Sequence, residues 1–193
     1  MNQNQREIYI DNIYSSIIRV IADKGLFNVR IRDINRDTGI NPNLIYKIFP
    51  NKEKIILVLF EGCIENLGKR FDERCANCNT KEYIREKIIS IVNRNPIYGI
   101  IYNEIRMKAL RSPRIEEAFK RSDQNLRSRI ELILTDGKNM GHISENVSTE
   151  VAVGRLIFII GMARTMITSE AEKSLFIKMI SALIDQSLSP NVE

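Results

Sequence analysis

Histidine occurs once in this 193-residue chain, cysteine three times and tryptophan not at all. With His142 alone there is no second imidazole for a metal pair and no recognisable nucleophile–base arrangement. Cys75-Ala76-Asn77-Cys78 has CxxC spacing, but Cys63 is the only other thiol, so a four-ligand zinc site lacks its second pair. No glycine-rich phosphate loop is present, and paired acids such as Glu116-Glu117 read as solvated charge on a helix. Catalysis, a metal and a cofactor are therefore not expected. Long apolar runs are missing too. Val151–Ile167 comes closest, but Arg155 and Arg164 interrupt it, and it falls short of the ~20 apolar residues that span lipid. The N-terminal MNQNQREIYID is polar, without the apolar core of an export signal, so a cytoplasmic protein with no membrane partner is expected. No alternating strand pattern of any length appears.

What is present is ordinary for a globular domain in amount, with 44% hydrophobic and 27% charged residues. The formal net charge is +5, and residues 1–54 hold nine Lys/Arg against six Asp/Glu. More than half of the excess thus lies in the first quarter of the chain. That is a modest footprint for phosphate binding, and charge alone fits a plain solvated surface equally well.

Helical periodicity runs throughout. Ile10, Ile13, Tyr14, Ile17, Ile18 and Ile21 form one apolar stripe, which Asp23-Lys24-Gly25 ends. From Asn51 a long helix carries Ile56, Leu59, Phe60, Cys63, Ile64, Leu67 and Phe71 in register, predicting a continuous helical connection to the rest of the chain. Further helix starts are expected at Asn79 (with Glu82), Asn95-Pro96, Ser112-Pro113, Ser148, and Ser169 with Glu172 as a capping box. The Ser112 helix should stop near Gly141.

The stretch from Gly25 to Lys54 is the most specific. Arg30 to Asp37 places Ile31 and Ile34 on one side of a short helix, and Thr38-Gly39 breaks it, glycine tolerating a left-handed cap. Asn41-Pro42 restarts a helix, Asn as N-cap and Pro at its first position. This second helix is roughly two turns long and depends on its neighbours for stability. Ile45, Ile48 and Phe49 can pack it, which leaves Asn43, Leu44, Tyr46 and Lys47 for other work. A short helix presented on two others is the geometry that enters a DNA major groove.

Gly25, Phe27, Ile31, Ile34, Gly39-Ile40, Tyr46, Phe49 and Lys52-Glu53 together resemble the tetracycline-repressor (TetR) family of transcriptional regulators. The resemblance covers about residues 6–65. Arg30 stands where that family commonly has a small hydroxyl residue, Asn35 where it usually has Ala, and Leu44 where Thr is frequent. The resemblance implies an all-α protein: a helix-turn-helix DNA-binding head at 1–50, with its motif at about 30–49, and a helical effector-binding and dimerisation body at 51–193. It further implies a homodimer, a double-stranded and pseudo-palindromic DNA operator, and a small-molecule effector that releases a repressor from it.

Within that expectation, Asn43, Leu44 and Lys47 are candidates for base edges or nearby phosphates, since Asn can pair with adenine, Lys reach guanine and Leu touch a thymine methyl. Tyr46 and Lys52 match family positions on backbone phosphate; Arg30, Arg32 and the cap residue Asn41 complete the expected DNA face. Ile88, Ile91, Ile101, Ile105, Phe119 and Leu126 are spaced to face inward on successive body helices, suggesting an apolar pocket for a lipophilic effector. Gly154 and Gly161, seven apart, would let another helix approach closely. With Phe176, Ile180, Leu183 and Ile184 on the last helix they form the expected dimer interface, which the family commonly builds from its last two helices. Two other functions remain open: a thiol-based redox sensor using Cys75 and Cys78, and a helical binding module that has lost DNA binding.

Overall fold

Capping side chains set the helix ends in the first part of the chain. The computed structural model describes residues 3–51, 53–60, 71, 78–94, 97–165 and 170–189. These form two compact units, Met1–Gly62 and Cys63–Glu193, and no strand occurs among the described residues.

In the first unit, α1 (Gln3–Lys24) buries Ile13, Ile17, Val20 and Ile21. A 3-10 turn, Leu26–Asn28, leads to α2 (Ile31–Thr38), and α3 follows at Pro42–Ile48. Gly39 ends α2 with φ 68° and its N–H on the Asn35 carbonyl at 2.7 Å. A Cβ on Gly39 would meet nothing within 4 Å, so the requirement for glycine is one of backbone conformation, not of space. Asn41 caps α3, its side chain accepting from the Asn43 N–H at 2.8 Å, and Ile45 is the buried anchor of that helix. Asn51 accepts from the Lys54 N–H at 2.9 Å and opens α4 (53–60), where Ile55, Ile56, Leu57, Leu59 and Phe60 are buried. The expected continuation of α4 through Cys63, Ile64 and Leu67 lies outside the described residues.

The second unit holds α5 (Thr80–Val92), α6 (Ile97–Ala109), α7 (Pro113–Asn139), α8 (Thr149–Thr165) and α9 (Glu170–Ser187). α8 packs against each of the other four. This explains its composition: a helix apolar on nearly every side is stable only when neighbours cover most of them. Asn79 caps α5 by accepting from the Lys81 N–H at 2.9 Å, whereas Ser112 precedes α7 without a side-chain cap bond. The expected helix starts at Asn95-Pro96 and Ser169 lie outside the described residues.

Gly137, near the end of α7, sits against the start of α5. A Cβ there would lie 2.8 Å from the Thr80 side chain and 3.0 Å from Ile143, so only glycine allows this contact. Arg85 of α5 pairs with Glu82 on its own helix and with Asp185 of α9.

Candidate nucleic-acid interface and body cavity

The described DNA-facing candidates lie at the start of α2 and on and beside α3. Asn41, Asn43, Tyr46 and Lys47 are exposed on and beside α3, Tyr46 at 52% despite its ring, and Leu44 is half-buried. Burial of Ile45 and Phe49 on the opposite side holds that orientation. Asn41 spends its side-chain oxygen on the cap, which leaves its amide N–H groups for any further contact. Arg30 and Arg32, at the start of α2, are exposed; Lys52 lies outside the described residues.

The three departures from the family pattern have local consequences. Arg30 occupies the N-cap of α2, but a guanidinium has no acceptor to offer the helix N–H groups. Asp33 supplies the return half of a capping box, accepting from the Arg30 N–H at 3.2 Å. Asn35 donates to the Ile40 carbonyl at 2.8 Å across the tight turn, a bond that Ala could not make. Leu44 places an apolar group, not a hydroxyl, on the outer part of α3.

Two carboxylates tie α1 to α2. Asp33 is buried, with Lys24 Nζ at 2.7 Å and Arg36 at 3.5 Å. The Lys24 hydrogen bond holds its carboxyl below the usual carboxylate range, with the Arg30 N–H assisting and burial opposing. Asp37 accepts from Arg19 at 2.6 Å, and that bond lowers its pKa too. Neither link was legible in the sequence, because ion pairs between residues 9 and 18 apart on different helices have no periodic signature.

The body contains a cavity of about 550 Å³ between α6, α7 and α8. Its apolar wall includes Phe119 and Leu126 of α7 with Ile157, Ile160 and Met162 of α8. Polar groups come from Tyr102 and Arg106 of α6, Lys120 and Asp123 of α7, and Arg164 and Thr165 of α8. Of the six residues expected to line a pocket, Phe119 and Leu126 line this cavity. Ile88, Ile91, Ile101 and Ile105 are buried as core and do not line this space. Periodicity identifies an inward face, but core and cavity wall share that face, and packing alone separates them. The cavity-lining residues of α8 were missed because the most apolar run was read as an interface.

That interface reading needs a similar correction. Phe176, Ile180 and Ile184 belong to the body's own core, together with Leu156, Ile159 and Ile160 of α8, and Leu183 packs against it half-buried. Phe176, Ile180 and Ile184 are 4%, 0% and 0% exposed, so of the four only Leu183 keeps accessible surface. Gly154 and Gly161 have nothing within 4 Å of a hypothetical Cβ, so they serve no close approach among the described residues of one chain. The apolar side chains left uncovered on these helices are Val151, Phe158, Leu175 and Met179.

Among the described residues no group of three His, Cys, Asp or Glu is placed to hold a metal ion, and no helix is long and apolar enough to cross a membrane. Of the cysteines, Cys78 is half-buried against the body core; Cys63 and Cys75 lie outside the described residues.

A helix-turn-helix head followed by an all-helical body defines a class of DNA-binding transcriptional regulators. Residues 13–59 match the profile of the family described as bacterial regulatory proteins, tetR family. It is 22% identical to the fatty acid metabolism regulator protein of Bacillus subtilis (strain 168) over 151 residues, 72% of this chain and 73% of that protein. Its fold is similar to that of Salmonella enterica GusR, with a TM-score of 0.78 at 18% identity over 92% of this chain and 93% of that one. It is also similar to FadR of Bacillus subtilis in complex with stearoyl-CoA, with a TM-score of 0.68 at 20% identity over 95% and 100% of the two chains.

Proposed function

We propose that this transcriptional regulator is a homodimeric repressor that binds a pseudo-palindromic operator and is released by a small lipophilic effector. The observation that carries it is the pairing of an exposed reading face on α3, Asn43, Tyr46 and Lys47, with a partly apolar cavity in the body. In this reading residues 1–50 are the DNA-binding head and 51–193 the effector-binding and dimerisation body. Asn43, Leu44 and Lys47 read bases, while Arg30, Arg32, Asn41, Tyr46 and Lys52 position the head on phosphates.

The cavity volume falls within the ~300–1,000 Å³ typical of small-molecule sites, and its walls combine aliphatic and aromatic groups with a few polar ones. That a FadR of this fold is known in complex with stearoyl-CoA supports an acyl-type effector. For a dimer the uncovered apolar side chains Val151, Leu175 and Met179 are the contact residues, with Gly154 on the same helix as Val151, whereas Phe158 and Gly161 also line the cavity. Two recognition helices must then sit about one DNA turn apart, ~34–36 Å, and an effector that favours another spacing releases the operator.

The test is selection of operator fragments from genomic DNA, followed by binding with variants. Tyr46→Phe should weaken operator and non-specific DNA alike, whereas Lys47→Ala or Asn43→Ala should alter sequence preference by ~1–3 kcal/mol at one base pair. Recovery of no DNA in the selection would leave the head without this role and favour a binding module instead. A thiol oxidant that releases DNA where hydrophobic compounds do not would favour the Cys75/Cys78 redox reading.

A further inference from the structure

The charges around the cavity are not balanced evenly. Lys120 is held by Glu116 at 2.7 Å, and that contact raises its pKa. Asp123 is answered by Arg127 at 3.0 Å. The two arginines in the wall are different. Neither Arg106 nor Arg164 has a carboxylate partner among the described residues. Arg164 lies with its guanidinium 5.1 Å from the centre of the Tyr102 ring and donates to the Tyr102 hydroxyl at 3.4 Å. Its Nη2 is shut off from solvent, and so from the cavity, and has no hydrogen-bond partner among the described residues, while the side chain as a whole lines the space. The Tyr102 ring in turn packs against Phe119, centres 5.6 Å apart, so this cation sits in an aromatic corner of the cavity.

Such an arrangement is costly by itself. Arginine does not lose its proton in a protein, so desolvation cannot be relieved by neutralisation. A partly buried cation with no carboxylate beside it is stabilised when an anion comes close to it. A guanidinium also presents paired donors that match a carboxylate or a phosphate. The same space is also lined by Leu126, Ile157, Ile160 and Met162, which offer apolar surface, Ile160 and Ile157 lying one and two turns before Arg164 on the same face of α8.

We infer that the cavity selects an anionic amphiphile, its charged head at the Arg164–Arg106 side and its hydrocarbon chain against α7 and α8. This rests on the lipophilic-effector reading above and narrows it: a neutral lipid of the same length should be a poor ligand. Two sources share the chemistry, a free fatty carboxylate and an acyl thioester whose negative charge lies on phosphates.

The experiment measures binding of dodecanoate, dodecanoyl-coenzyme A and 1-dodecanol to the full chain by calorimetry, below their aggregation limits. At least one of the two anions should bind roughly tenfold or more tightly than the alcohol, the difference expected for a hydrogen bond to a charged group. Which anion leads identifies the source. Arg164→Gln should remove the preference while leaving dodecanol binding unchanged. Arg106→Gln, at an exposed residue that folding does not require, should reduce it, and serves if the first variant is poorly folded. Equal affinity for alcohol and anions, or a preference that survives both substitutions, overturns the inference and leaves the lipophilic-effector reading intact. If none of the three binds, that broader reading fails with it.

Discussion

In the head, α2 and α3 are eight and seven residues long, and polar contacts join them to their surroundings: Lys24 and Arg36 to Asp33, Arg19 to Asp37, Asn35 to the Ile40 carbonyl. In the body, α7 runs for 27 residues and α8 for 17, and a continuous apolar cluster from Phe71 to Leu188 holds the helices. Helices of two turns are far below the ~12–15 residues at which an isolated helix becomes marginal, so each end of α2 and α3 has to be tied down individually. Long helices can instead rely on area. Their stability tolerates local imperfection, which is how the body accommodates a cavity and a cation without a carboxylate. The head exposes its candidate functional side chains on and beside short helices, whereas the body's candidate site is a cleft between α6, α7 and α8 with both buried and exposed lining residues.

The comparison is best broken by putting a charge where the body depends on area. Ile180 is fully buried, so Ile180→Glu should cost more than ~4 kcal/mol and unfold the body, because a carboxylate there has no partner. Loss of the cooperative melt by circular dichroism is the expected outcome. A folded monomer would instead return Ile180 to a subunit interface. Next in size is Gly137→Val. Its side chain would collide with Thr80 and Ile143, and overpacking of this kind costs ~1–3 kcal/mol. A companion Thr80→Ala change should recover part of the loss, and failure to recover any would argue against direct contact.

The head should show smaller effects with backbone or polar causes. Gly39→Ala places a Cβ at φ 68° in open space, so it should cost ~1 kcal/mol from conformational strain alone. A larger cost in chemical denaturation would mean that the turn is also sterically confined. The smallest effect concerns slope. Asp33 and Asp37 have pKa values lowered from 3.8. Their contribution is complete only well above the unfolded value of 3.8, where they are ionised folded and unfolded alike. It is lost as pH falls through the lower folded values, because the unfolded chain takes up protons first. Amide exchange of α2, corrected for intrinsic rates, should accelerate in that acid window. Asp33→Asn should flatten the dependence, and an unaltered profile would remove Asp33 from the account.

Much of the head was readable because its signals are local. Thr38-Gly39, Asn41-Pro42 and Asn51 act within a few residues of themselves, and all three helix boundaries fall beside them. Burial of Ile45 and Phe49 follows from spacing alone. The Asp33 and Asp37 pairs were not readable, since each partner lies on another helix. In the body, the apolar periodicity found the helices but misassigned their faces. Phe176, Ile180 and Ile184 turn inward to the core, and Ile88, Ile91, Ile101 and Ile105 are buried without lining the cavity between α6, α7 and α8.

The amino-acid sequence by itself determined that this chain is helical, where its short head helices begin and end, and which side chains α3 leaves exposed. These depend on backbone preferences, caps and a 3.6-residue period, all acting over a few residues. Only the tertiary structure decided that α8 would be the helix shared by the core and the cavity wall, that Gly137 would admit Thr80, and that Arg164 would stand beside Tyr102 without a carboxylate. Each of those depends on which helices meet, and a hydrophobic stripe specifies that a face is buried without specifying what buries it.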